Sequence, residues 1–372
     1  MTQLPATRRD WIKAVVSTTA GFALAPSIAS ATDTTPAPPS ATGIRLSLNE
    51  SPFGPSPLAI RAIQNQLSNL CRYTVQEATD IADQIAAYEN IPAAHVLLGD
   101  VLEPLGLRLG LQGAGGEFIY SVPGYTALVD ATKPVGGVGV PVPLSDRWEN
   151  DLPALQARIT PRTRAVFVVN PHNPTGTVND AAVLRRFVSE VSQRTLVIVD
   201  EAYLEYLNDF RQRTLTDLVR AGGNVVVFRT FSKIYGLAGM PFGYVLAPSA
   251  LADSLRKEGV GDPHSLNRLA LAAASASLRD SDHVAKVRDQ VATERRKWLA
   301  VLDELHLRHT QAEGSFVFFE TGRPHDQIAA AFLRQGIDIG RGFPPLDQWA
   351  RITIGLPEEN ARVQSALRSI LG

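Results

Sequence analysis

Three short apolar runs, residues 165–169, 196–199 and 225–228, constrain the fold of this chain most. Each is followed at once by a polar cluster: Pro171-His172-Asn173-Pro174-Thr175-Gly176, then Asp200-Glu201-Ala202-Tyr203, then Thr230-Phe231-Ser232-Lys233. Continuous β-prone runs of four or five residues read as strands buried on both faces. Between the first two, Val183, Leu184, Phe187, Val188 and Val191 recur at helical spacing, in a helix that starts at Asn179 or Asp180. Further strand-like runs occupy 117–122 and 244–246, and residues 58–67 and 81–88 have helical spacing. Strands alternating with helices predict an α/β fold whose large domain has a mostly parallel sheet flanked by helices. In such a sheet the three polar clusters meet at the carboxyl edge, where α/β proteins bind ligands.

After about residue 250 the pattern changes. A charged helical stretch at 281–305 leads to strand-like 316–319 and 352–354, with helices at 327–334 and 358–371. The expected organisation is an N-terminal arm at 44–57, a ligand-binding large domain at 58–255 and a smaller C-terminal α+β domain at 256–372. Ahead of these, Arg8-Arg9 precedes an uncharged, mostly apolar run at 14–25 and a small-residue cleavage site, Ala29-Ser30-Ala31. That order is the order of a twin-arginine signal peptide, residues 1–31, followed by a Pro-rich linker at 32–43. It predicts passage through the twin-arginine translocation machinery into the periplasm. The apolar run is too short to span a bilayer, and no later stretch is long and apolar enough to be a stable membrane span.

Composition narrows the partners. With 36 Lys+Arg against 37 Asp+Glu the formal net charge is −1, which argues against a nucleic-acid binder held by phosphate contacts. Cys71 is the one cysteine, so an internal disulfide and a Cys-based zinc cage are excluded; it is expected to be a small buried hydrophobe. No metal site is expected. The glycine-rich Gly113-Ala114-Gly115-Gly116 precedes a strand instead of following one, and so reads as a turn, not a phosphate loop.

The polar clusters carry a recognisable set of chemical abilities. A desolvated Lys amine forms a Schiff base with an aldehyde. A carboxylate against a pyridine nitrogen keeps it protonated and makes the ring an electron sink. Amide and phenol groups bond a ring oxygen, and hydroxyls with loop N–H groups hold a phosphate. Together these describe the needs of pyridoxal 5'-phosphate.

Several motifs then resemble the fold-type I pyridoxal-phosphate aminotransferases of class I/II, most of all the histidinol-phosphate aminotransferase branch. They are Leu48-Asn49-Glu50-Ser51-Pro52-Phe53-Gly54-Pro55-Ser56-Pro57, Arg72-Tyr73, Pro123-Gly124-Tyr125, Asn173-Pro174-Thr175-Gly176, Asp200-Glu201-Ala202-Tyr203, Ser232-Lys233 and Arg351-Ile352-Thr353-Ile354-Gly355. The resemblance implies that Lys233 carries the cofactor and shuttles the substrate proton, and that Asp200 pairs with the pyridine nitrogen. It implies that Asn173 and Tyr203 hold the ring oxygen, that Tyr125 stacks on the ring, and that Thr230 and Ser232 bond the phosphate. Tyr73 would reach that phosphate from a second subunit, which implies a homodimer. Arg351 would clamp the substrate carboxylate, with Arg341 as a second substrate contact and Asn49 on an arm folded over the site. The implied activity is amino transfer between an amino acid or amine and a 2-oxo acid. Decarboxylation, elimination or oxidation on the same scaffold, and cofactor binding without turnover, are the alternatives.

Two departures from the family pattern stand out. The family's phosphate-gripping Arg, eight positions after the lysine, is replaced here by Pro241. The family's phosphate-cupping turn is replaced by Gly99-Asp100-Val101-Leu102-Glu103-Pro104. Either another residue, with Arg229 as the candidate, supplies the missing charge, or the cofactor is held less tightly. Glu320 stands near where related enzymes carry basic substrate contacts. With an export signal as well, the expected substrate is an amino acid or amine with a free carboxylate, and not histidinol phosphate.

Overall fold

The computed structural model describes residues 43–371; the expected signal peptide at 1–31 and all of the expected linker before Gly43 lie outside the described residues. Eleven strands are present among the described residues: β1 (Ile44–Leu46), β2 (Val96–Leu98), β3 (Glu117–Val122), β4 (Val138–Pro143), β5 (Thr163–Val169), β6 (Leu196–Asp200), β7 (Val225–Thr230), β8 (Gly243–Leu246), β9 (Phe316–Glu320), β10 (Ile337–Ile339) and β11 (Trp349–Thr353). Seven of them form one sheet in the order β2-β8-β7-β6-β5-β3-β4. Neighbours from β7 through to β4 are parallel, while β8 is antiparallel to both β7 and β2. β2 therefore runs the same way as β7, and its C-terminal end shares the carboxyl edge with the start of β8.

The central strands are covered on both faces, which is why they read as unbroken apolar runs. Val166, Val168, Val197, Val199, Val225 and Val227 face one core with Leu184, Phe187 and Val188. Ala165, Phe167, Leu196, Ile198, Val226 and Phe228 alternate with them and face another, against Leu102, Leu105 and Leu128. The helix Ala181–Val191 begins where the sequence places it: Asp180 accepts bonds from the Ala182 and Val183 N–H groups, both at 3.0 Å. Its buried stripe is Leu184, Phe187, Val188 and Val191, but Val183 is 46% exposed. At about 100° per residue the four buried positions span roughly 100°, and Val183 falls about 40° beyond the Phe187 edge of that stripe.

The remaining strands form two small sheets. β1, from the N-terminal arm, pairs in parallel with β10, and β11 pairs antiparallel with β9. The arm is thereby tied to the C-terminal part of the chain. Cys71 is exposed, contrary to expectation, because the turn that follows the short helical segment Leu67–Asn69 has nothing packed over it. Among the described residues, no helix is long and apolar enough to cross a membrane.

Candidate active site

A cleft of about 950 Å³ opens at the carboxyl edge of the large sheet. The ends of β5, β6 and β7 bring Asn173, Asp200, Tyr203, Thr230, Ser232 and Lys233 to its walls. The arm adds Asn49, the loop after β3 adds Tyr125, and the C-terminal part adds Arg341 and Arg351. Ten of the eleven residues singled out in the sequence thus line one cleft. Tyr73 does not. It is 75% exposed outside the cleft, edge-on to His264 with ring centres 5.1 Å apart.

Asp200 ends β6 and is 3% exposed. Its Oδ1 accepts the Ala202 N–H at 2.9 Å. Burial pushes its carboxyl up to about 6; the Ala202 bond and the Lys233 charge oppose this only in part. A carboxylate desolvated to this degree, with one backbone bond and no cation in contact, fits a site for a protonated ring nitrogen. The next residue, Glu201, turns the opposite way, into the core beneath the edge.

Tyr203 is placed by contacts from distant parts of the chain. Asn49 Nδ2 donates to its Oη at 3.0 Å, and its ring meets Phe316 edge-on. Asn49 is held in turn by Thr353, whose Oγ1 accepts the Asn49 N–H at 3.0 Å. Because Oη accepts from Asn49, its own proton is free for an acceptor in the cleft. Lys233 Nζ lies 5.7 Å from the Tyr203 ring centre. The turn after Lys233 is pinned by close backbone approach. Gly236 has φ +71°, and a Cβ there would come within 2.3 Å of the Gly54 carbonyl carbon of the arm. Only glycine fits that crossing.

Arg351 is 7% exposed. Nη1 donates to Asn173 Oδ1 at 2.7 Å and Nη2 to the Ser47 carbonyl at 2.8 Å, while Nε is buried without a partner. Burial lowers its pKa to about 10, with Tyr203 opposing and Arg341 assisting. It stays charged at neutral pH, yet no carboxylate of the described residues pairs with it. Asn173 spends its carbonyl oxygen on Arg351, which leaves its amide N–H groups for a ring oxygen. Arg341 is exposed at the mouth, its guanidinium over the Phe343 ring. Burial and the neighbouring Asp200 raise the Tyr125 phenol, so it is neutral.

Two expectations fail. Arg229 does not serve the cleft. Nε donates to Glu201 at 2.9 Å and Nη1 to Glu205 at 2.8 Å, with all three side chains buried under the edge. β-strand alternation turns Arg229 away from the face that Phe228 and Thr230 share. Glu320 is also elsewhere: it ends β9 paired with Arg308 at 2.7 Å, outside the cleft lining. The sequence reading missed the roles of His172, Asp100 and Glu103. His172 is buried, its Nδ1 2.9 Å from Thr175 Oγ1, and burial drives its pKa down to about 3, so it is a neutral brace for the loop that carries Asn173. Asp100 and Glu103 line the cleft beside the helix Leu102–Gly110. The odd Gly-Asp-Val-Leu-Glu-Pro turn was the signal that could have found them.

The sheet topology and this cleft define a fold-type I pyridoxal 5'-phosphate enzyme. Residues 41–367 match the family Aminotransferase class I and II, and the chain belongs to that family. It is 34% identical over 333 residues to histidinol-phosphate aminotransferase of Moorella thermoacetica, covering 88% of this chain and 85% of that one. It is 36% identical over 339 residues to histidinol-phosphate aminotransferase 2 of Pseudomonas fluorescens, covering 88% and 89%. Among solved structures, a putative histidinol-phosphate aminotransferase from Erwinia carotovora atroseptica superposes with a TM-score of 0.82 at 30% identity, covering 88% and 96%. That of Sinorhizobium meliloti, in complex with pyridoxal-5'-phosphate, superposes with a TM-score of 0.80 at 27% identity, covering 88% and 92%. The protein is a pyridoxal-phosphate-dependent transaminase; decarboxylase, lyase, oxidase and non-catalytic readings are not favoured.

Proposed function

We propose that this transaminase acts on an amino acid whose free carboxylate is gripped by Arg351, and passes the amino group to a 2-oxo acid held in the same way. The carrying observation is Arg351 itself, a buried guanidinium bonded only to neutral oxygens, with Nε unused. A planar fork of this kind meets a carboxylate bidentately and fixes its orientation. The cofactor supplies an aldehyde that joins amines and a protonated ring that withdraws electrons. Lys233 Nζ would hold the cofactor through its aldehyde, with loss of water, and once displaced by the substrate amine its free amine would be the base that carries the substrate Cα proton. Asp200, ionised once a cation stands opposite, keeps the ring nitrogen protonated. Tyr203, with its proton free, and the Asn173 amide hold the ring oxygen, and Tyr125 covers the ring face. In this reading the large domain at 58–255 carries the ring site, and the small domain at 256–372 supplies Arg341 and Arg351.

Screening amino acids against the purified protein, while following the cofactor spectrum, tests the proposal. Several carboxylate-bearing donors should convert the cofactor. Conversion by histidinol phosphate alone, the substrate in the relatives' name, would overturn it.

Two further parts of the reading rest on sequence features. The order Arg8-Arg9, apolar run and Ala29-Ser30-Ala31 supports export by the twin-arginine route into the periplasm. N-terminal sequencing of exported protein should begin near Thr32; an uncleaved cytoplasmic product would end this idea. Exposed Leu67, Leu70, Tyr73 and Val75 support a homodimer in which Tyr73 reaches the second copy's cofactor phosphate. Sedimentation of the purified protein as a monomer at micromolar concentration would refute it.

A further inference from the structure

We propose that this site grips its cofactor mainly by the ring and only weakly by the phosphate, so that it also accepts unphosphorylated pyridoxal, with less than about a hundredfold preference for pyridoxal phosphate. The inference rests on the ring placement given above, and it follows from the strand order. With the ring nitrogen on Asp200 at the end of β6 and the ring oxygen on the β5 side with Asn173, the phosphate arm points the other way. Because it leaves the ring on the far side of the aldehyde carbon from the ring oxygen, it would lie toward β7, β8 and β2, the strands on the side of β6 away from β5.

That end of the cleft carries hydroxyls and carboxylates. Thr230 Oγ1 accepts the Ser232 N–H at 3.1 Å and points its own proton at the Phe242 carbonyl, 3.5 Å away, which leaves the Ser232 hydroxyl as the freer donor. Pro241, on the turn that leads into β8, is exposed and offers neither charge nor N–H. Arg229 is paired with Glu201 and Glu205 below the edge. Lys233 is committed to the aldehyde, and Arg341 and Arg351 belong to the C-terminal wall. Those three are the only cations among the described residues that line the cleft. Asp100, just after β2, and Glu103, in the first turn of the helix Leu102–Gly110, line it at the phosphate end. Both are close enough to Tyr125 to raise its phenol. The helix start offers backbone N–H groups, since its cap residue Val101 supplies no side-chain acceptor, but the two carboxylates offset the attraction of its positive end.

A guanidinium on a phosphate is worth on the order of tenfold to a hundredfold in affinity. Its absence, with two carboxylates nearby, removes most of the usual reward for the phosphate.

Equilibrium dialysis of the purified full chain, freed of cofactor and titrated separately with pyridoxal phosphate and with pyridoxal, tests this. The two dissociation constants should differ by less than about a hundredfold. Pro241→Arg should tighten pyridoxal phosphate about tenfold or more without tightening pyridoxal. The double variant Asp100→Asn, Glu103→Gln should do the same in smaller degree, and it keeps the backbone of the turn. A difference above about a hundredfold in the natural protein overturns the inference alone. So does failure of both variants to favour the phosphorylated compound. Retention of neither compound overturns the ring placement together with the inference.

Discussion

Two buried arginines, Arg229 on β7 of the large sheet and Arg351 on β11 of a small one, do opposite things. Arg229, 1% exposed, faces into the core with Glu201 and Glu205 against it. Arg351, 7% exposed, faces the cleft with the Asn173 amide oxygen and the Ser47 carbonyl against it. Burial is nearly the same, and only the partners differ. A buried cation with carboxylates of its own is part of the fold. A buried cation given only neutral oxygens is held ready for an anion from outside. The same contrast separates Asp200 from Glu201. Neighbours in sequence, one is left without a cation in contact and the other meets Arg229.

The comparison can be broken most forcefully at Arg229. Arg229→Met should cost about 3–5 kcal/mol of stability, because Glu201 and Glu205 are left buried and unpaired. Urea denaturation reads this directly, and a loss well under 1 kcal/mol would mean the cluster is not structural. Asp200→Asn should act in the other direction. The step from 3.8 to about 6 means that ionising Asp200 in the cofactor-free fold costs up to roughly 3 kcal/mol. A raised carboxyl favours the folded state below the unfolded value, and that advantage is lost as pH rises through about 6. The cofactor-free variant should therefore melt higher than the natural protein at pH 7.5, and the difference should fade toward pH 4. Equal melting temperatures at both pH values would contradict the assignment.

Arg351→Met should leave stability within about 1 kcal/mol, since no carboxylate loses its partner. Its kcat/KM for carboxylate-bearing amino acids should fall by about tenfold to a hundredfold, mostly through KM. A stability loss as large as that at Arg229 would erase the distinction between the two residues. At neutral pH no effect of ionisation is expected at His172, which is held neutral with a pKa near 3, and its contribution shows only in acid. Its contribution is full above its unfolded value of 6.5 and is lost as pH falls toward the folded one. By pH 5 the cost is roughly 2 kcal/mol. His172→Asn should flatten the acid limb of a stability-against-pH curve between pH 6.5 and 5, and an unchanged slope would count against the brace.

Much of the scaffold was legible because its signals are local. β5, β6 and β7 are unbroken apolar runs, since both faces of a central parallel sheet are covered. The helix Ala181–Val191 announces its start with Asp180. β1, β2 and β10, three residues each, carry too few positions for periodicity to register. The helix Arg268–Arg279, rich in alanine, lacks the large apolar stripe that marked the others. The candidate site was legible for a second local reason. A polar cluster placed just after a buried strand must emerge at the carboxyl edge, so Asn173, Asp200 and Lys233 could be placed before any coordinates. Arg229 meets Glu201 and Glu205, Glu320 meets Arg308, and Cys71 stays exposed; periodicity encodes none of these outcomes, and there the reading failed.

The amino-acid order alone determined the strand ends, and with them which functional groups the cleft would contain. Tertiary packing decided which of those groups are spent inside the protein and which are left for a ligand. Asn49 reaching Tyr203, and Arg351 reaching Asn173, join residues more than a hundred positions apart. Periodicity and capping are short-range effects and can place a side chain on a face. Whether its charge or its proton is already used depends on what packs against it in three dimensions.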